Sequence, residues 1–194
     1  MQALIIGAAG MVGAKLATSL AADPGAVTAL TLLDVVAPRA PGGTVPARTG
    51  TLDLTDAGAV AAEIAGRPEV IFHLAAIVSG EAEADFEKGY RVNFDGTRTL
   101  FEAIRAQKDY RPRVVFTSSI AVFGAPFPDA IGDEFLPAPL TSYGTQKAMG
   151  ELLLNDYSRR GFLDGVGIRL PTICIRPGAP NKAASGFFSN ILRE

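Results

Sequence analysis

The chain has 194 residues, 48% hydrophobic and 20% charged, with a formal net charge of −2. This length supports one domain with a substantial core, and the slightly acidic balance lacks the basic surplus that nucleic-acid binding needs. A single cysteine excludes an internal disulfide and suits a cytoplasmic setting, while no apolar run reaches the ~18 residues of a membrane span.

Strand-like and helix-like segments alternate from the start. The apolar residues 3–6 form a first strand, followed by Gly7-Ala-Ala-Gly10-Met-Val-Gly13 and a helix from Met11 to Ala22. Residues 1–22 superficially resemble a secretory leader, but no positive segment precedes them and Lys15 interrupts them. Residues 30–33 predict a second strand ending at Asp34, and Pro38, Pro41, Gly42, Gly43 and Pro46 mark a loop. A third strand ends near Asp53, and Asp56 caps a helix to about Ala65. Residues 70–74 are the fourth strand; residues 81–107 read as helical, broken near Gly89; residues 114–119 are the fifth strand. The proline-rich stretch 125–139 leads to a helix from Ser142 to about Arg160, and residues 166–170 are the sixth strand. Short apolar strands separated by helices predict an α/β fold, with a doubly wound, mostly parallel Rossmann-like sheet covered by helices on both faces. The sequence stops at Glu194 in what reads as the beginning of a helix. The expectation is a piece of a longer protein, with residues 1–171 as the nucleotide-binding unit and 172–194 opening a substrate-covering region.

The glycine turn has the strand–turn–helix context that gives such a motif meaning. Gly7 permits a tight turn, Gly10 a close approach by a pyrophosphate, and Gly13 close packing of helix on strand. The helix N-terminus, at Met11 and Val12, offers free N–H groups to phosphate. A turn without a ligand is the plainer alternative. Asp34, at the end of the second strand, suits an adenosine ribose and repels a 2′-phosphate, favouring NAD over NADP. Asp53 either reaches an adenine edge or serves as a turn acid. His73, the only histidine, reads as a buried residue satisfied by neighbouring backbone, and with one distant cysteine no metal site is expected.

Tyr143 and Lys147 share a helix face because positions four apart are neighbours. A phenol is a poor base at neutral pH, but a nearby ammonium favours the phenolate, which can take a hydroxyl proton while a hydride leaves carbon. Ser119 ends the fifth strand, at the edge where open α/β sheets bind ligands, and its hydroxyl can hold the reacting oxygen.

These features together resemble the extended short-chain dehydrogenase/reductases, NAD-dependent enzymes of the epimerase/dehydratase type. The matching pieces are Gly7-x-x-Gly10-x-x-Gly13, Asp53-Leu54, His73-Leu-Ala-Ala76, Asn93-Phe-Asp-Gly-Thr97, Ser118-Ser119 before Val122-Phe-Gly124, and Tyr143-x-x-x-Lys147. The resemblance selects Ser119 over Ser118 as catalytic. It implies cofactor contacts at Leu54, Leu74, Ala75, Ala76, Asn93 and Pro171, in addition to Ser119, Tyr143 and Lys147, and it suggests a homodimer. The family's frequent tyrosine before Gly124 is Phe123 here. A closer likeness runs through residues 75–86, 142–147 and 176–181, to members that oxidise carbon 2 of a small sugar acid with NAD. Residues suited to contact a small hydroxy acid are Ser79, Ser119, Tyr143, Arg176 and Asn181. Arg176 is able to pair bidentately with a carboxylate or to form a surface ion pair. The alternatives are a nucleotide-sugar epimerase or dehydratase, and a non-catalytic dinucleotide-binding regulator.

Overall fold

The computed structural model describes residues 1–173. Six parallel strands form one sheet: β1 (Gln2–Ile6), β2 (Ala29–Asp34), β3 (Ala47–Thr51), β4 (Val70–His73), β5 (Arg113–Ser119) and β6 (Asp164–Leu170), in the spatial order β3-β2-β1-β4-β5-β6. The helices are α1 (Met11–Ala22), α2 (Ala57–Ile64), α3 (Ser79–Ala84), α4 (Phe86–Gly89), α5 (Gly96–Arg105) and α6 (Ser142–Arg159). The predicted doubly wound parallel sheet is therefore the observed one.

Alternation along β1 explains why both sheet faces are covered. Leu4 and Ile6 join a cluster with Val60, Ile64, Phe101 and Leu154, from α2, α5 and α6. Ala3 and Ile5 pack on the opposite face with Ala17 and Ala21 of α1. Side chains of successive strand residues point to opposite faces, so four consecutive apolar residues feed two cores. The strand order reverses at β1, whose neighbours are β2 and β4. Crevices at the carboxyl ends of such strands are where open α/β sheets take ligands.

Local chemistry shifts some predicted boundaries. β3 stops at Thr51 rather than near Asp53, because Asp53 turns the chain: its Oδ1 accepts from the Thr55 amide (2.9 Å) and hydroxyl (2.8 Å). The helical stretch expected over residues 81–107, with a break near Gly89, is three α-helical pieces. It breaks at Asp85, whose side chain re-caps α4 by accepting from Lys88 N (3.0 Å). A π-helical segment, Tyr90–Asp95, then separates α4 from α5. Asp56 caps α2 as expected, accepting from Ala59 N (3.0 Å).

Candidate active site

Two adjoining clefts open at the carboxyl ends of the strands. The first, of about 700 Å³, is lined by Gly7, Gly10, Asp34, Asp53, Leu54, Leu74, Ala75 and Ala76, all expected at a cofactor. Gly7 has φ +93°, a conformation that favours glycine. A Cβ on Gly13 would lie 2.2 Å from the Gly7 carbonyl oxygen, so only glycine lets α1 start this close to the turn. Gly10 caps α1 with no side-chain bond, leaving the amides of Met11 and Val12 directed out of the helix end. Met11, Val12 and Gly13, also expected at the cofactor, do not themselves line the cleft.

Asp34 has a use that sequence reasoning missed. Its Oδ2 accepts from Ala9 N (3.0 Å) and its Oδ1 from Val35 N (2.7 Å), so the acid braces the glycine turn as well as facing the cleft. Asp53 combines both roles considered for it: it is a turn acid and it lines the cleft. The Thr55 amide and hydroxyl, with help from the Arg91 charge, hold its carboxyl below the usual carboxylate range. Glu81, Lys88 and Arg91 also line this cleft and were not anticipated. The spacing of Lys88 and Arg91, three apart on a helical stretch, was the available signal.

The second cleft, about 460 Å³, is lined by Ser79, Ser119, Tyr143, Lys147 and Pro171, all expected, and by Ser118, Thr141 and Thr172. Leu74, Ala76 and Ile77 line both clefts and form their common wall. Ser119 Oγ accepts from Ala121 N (3.1 Å), which leaves its hydroxyl hydrogen to donate elsewhere. The tyrosine reaches the same cleft because α6 docks tightly on the turn after β5. A Cβ on Gly144 would lie 2.1 Å from the Ala121 carbonyl oxygen. Thr141 starts α6 by accepting from Gly144 N (3.1 Å).

Lys147 is 3% exposed. Its Nζ donates to Thr117 O (2.7 Å) and lies 4.9 Å from the Phe116 ring centroid and 5.8 Å from that of Tyr143. Burial pushes its pKa down to about 8. Both serines line this cleft, Ser118 at 2% exposure and Ser119 half-buried.

Three expectations need restating. His73 is buried, but its partner is a side chain rather than backbone: Nε2 lies 2.8 Å from Thr97 Oγ1. Asn93, expected at the cofactor, lines neither cleft. It is buried, accepts from Ile77 N (2.9 Å) and donates to Ile77 O (3.3 Å) and Gln146 Oε1 (2.8 Å), so it supports the shared wall from behind. Arg176 and Asn181 lie outside the described residues. Among the described residues, no group of His, Cys, Asp and Glu is placed to hold a metal ion, and no helix is long and apolar enough to cross a membrane.

A turn that only glycines can build, an uncapped helix end and an acid at the end of β2 fit a dinucleotide, and the adjoining cleft gathers a serine, a tyrosine and a lysine. The chain belongs to the NAD dependent epimerase/dehydratase family, whose model matches residues 3–194. It is 50% identical, over 100% of its length, to a D-erythronate dehydrogenase from Cupriavidus necator, and 47% identical, again over 100%, to one from Haemophilus influenzae. In each case it spans 62% of the relative's length. A crystal structure described as a nucleoside-diphosphate-sugar epimerase from Agrobacterium tumefaciens superposes with a TM-score of 0.92 at 63% identity, over 99% of this chain and 58% of that one. A GalE-like L-threonine dehydrogenase from C. necator in its holo form gives 0.84 at 26% identity, over 100% and 61%.

Proposed function

We propose that this chain carries the cofactor-binding and catalytic part of an NAD-dependent dehydrogenase that oxidises carbon 2 of a small sugar acid, of the D-erythronate type, to the 2-oxo acid. One observation carries the reading: Ser119, Tyr143 and Lys147 line a single cleft that shares a wall with the dinucleotide cleft. Residues 1–171 would hold cofactor and catalytic groups, and 172–194 would begin the region over the substrate. A cytoplasmic homodimer in carbohydrate metabolism completes the proposal.

When bound, NAD supplies the acceptor for the hydride. The glycine turn and the α1 N-terminus would hold its pyrophosphate, Asp34 its adenosine ribose and Lys147 its nicotinamide ribose. Tyr143 Oη takes the proton of the substrate hydroxyl. The charge on Lys147 favours the anionic oxygen that accepts it. The Ser119 hydroxyl donates to the reacting oxygen and holds it before Tyr143. Ser79 lines the same cleft, and Arg176 is assigned to the substrate carboxylate.

The relatives named D-erythronate dehydrogenase, matched over the whole chain, support the sugar acid. The 63% identical structure described as an epimerase supports the second reading, a nucleotide-sugar epimerase. A panel of sugar acids and UDP-sugars, assayed for NADH formation and for epimerised product, separates the two. Turnover of a UDP-sugar with none of the acids would overturn the dehydrogenase reading.

A further inference from the structure

Gln146 stands between Tyr143 and Lys147 on α6 yet lines neither cleft and is 0% exposed. Its Oε1 accepts from Asn93 Nδ2 (2.8 Å). The same Asn93 amide brackets the backbone of Ile77, accepting from its N–H (2.9 Å) and donating to its carbonyl oxygen (3.3 Å). Ile77 lines both clefts. A line of bonds therefore runs from the helix carrying the catalytic pair, through one amide, to the wall between cofactor and substrate.

The orientations of these amides follow from the backbone. The Ile77 N–H must meet an acceptor, which turns Asn93 Oδ1 toward it and leaves both Nδ2 hydrogens as donors. One meets the Ile77 carbonyl; the other requires an acceptor from α6, which Gln146 Oε1 supplies. The opposite end of Gln146 is poorly served. Its Nε2 is buried with no partner among the described residues, and Gly89 makes room for it: a Cβ there would lie 2.6 Å away. A buried donor without a partner costs free energy that an apolar side chain of the same shape would avoid. What the position gains from glutamine is the acceptor. Asn93 meets it from the π-helical segment Tyr90–Asp95, a distortion that is rare and frequent at functional sites.

We propose that Gln146 is a positioning residue: through Asn93 it sets the spacing between the shared wall at Ile77 and the Tyr143–Lys147 face of α6. The consequence for turnover rests on the dehydrogenase reading above; the clamp itself does not. With it intact, the nicotinamide side of the wall and the base are held in one register. Released, the wall drifts relative to Tyr143 while the glycine turn and Asp34 still hold the adenine end of the cofactor.

Three variants of the full chain test this. Gln146→Met keeps the shape and loses the acceptor, Gln146→Glu keeps an oxygen for Asn93, and Gln146→Asn falls a methylene short, serving in place of Gln146→Met should that variant not fold. Amide exchange at Ile77, read by NMR on the free protein, should speed up about tenfold or more in the Met and Asn variants, with β5 amides unchanged, and should return toward the parent rate in the Glu variant. Turnover of the sugar acid should fall about tenfold in the first two, with KM for NAD within about twofold, because misplacement rather than binding is at fault. Unchanged exchange at Ile77 would overturn the proposal. So would faster exchange with full turnover, or lost turnover with a matching rise in KM for NAD. A parent inactive on every sugar acid would remove the substrate reading instead, and exchange at Ile77 would still decide the clamp.

Discussion

The bond between His73 and Thr97 runs in one direction. Thr97 Oγ1 donates its only hydrogen to Asn93 O (2.7 Å), so at 2.8 Å it must accept from His73 Nε2, and the proton of the neutral imidazole sits there. Nδ1 is buried with no partner among the described residues. Burial, and secondarily the Lys147 charge, pull the pKa of this histidine down to about 3.

Acid stability should therefore depend on His73. Its folded pKa lies below the ordinary 6.5, so the unfolded chain binds the extra proton first. The contribution of neutral His73 is complete above about pH 6.5 and is lost as the pH falls toward 3, at up to about 1.4 kcal/mol per unit. His73→Leu should show a flatter fall in stability than the parent between about pH 6 and 4. Parallel curves from urea melts at a series of pH values would disprove this.

Lys147 carries the opposite cost. At pH 7 the ammonium is charged in both states, and the folded chain bears the burden of burying it. Between about pH 8 and 10.5 the folded chain releases this proton before the unfolded one, so the parent gains stability as the pH rises. Lys147→Met should be more stable than the parent at pH 7 by about 1–3 kcal/mol, lose that advantage by about pH 10.5, and be inactive. A variant that melts below the parent at pH 7 would contradict the assignment.

Tyr143→Phe removes the phenol and keeps the ring. Turnover should drop by roughly 10²-fold or more, while calorimetric NAD affinity stays near that of the parent. Near-normal turnover would rule out Tyr143 as the base.

Asp34→Ala should relax discrimination against NADP by removing a repulsive charge. Because the acid also braces Ala9 and Val35, NAD binding itself should weaken, by about 1–2 kcal/mol for the two lost backbone bonds. If calorimetry finds NAD bound as tightly and NADP no better, neither role survives.

Much of the site was legible because its parts obey local rules. Gly7, Gly13 and Asp34 are tied to one strand–turn–helix unit, and Tyr143 and Lys147 to one helical turn. Ser119 was chosen over Ser118 through resemblance alone, since both serines line the same cleft. The structure placed Asn93 behind the wall because its partners, Ile77 and Gln146, come from two other elements, and no local pattern reports such a meeting. Gln146 itself gave no signal: a glutamine on a helix usually faces solvent. The break at Asp85 was misplaced by a few residues because Gly89 is the more obvious interruption, whereas Asp85 acts through a capping bond.

Leu74, Ala76 and Ile77 touch both clefts, so a ligand that orders or shifts these residues from one side changes what the other side presents. To the extent that the first arrival orders these residues, it spares the second that expense. The affinities of ligands in the two clefts are then bound together thermodynamically, and reciprocity requires each to change the other by one common factor.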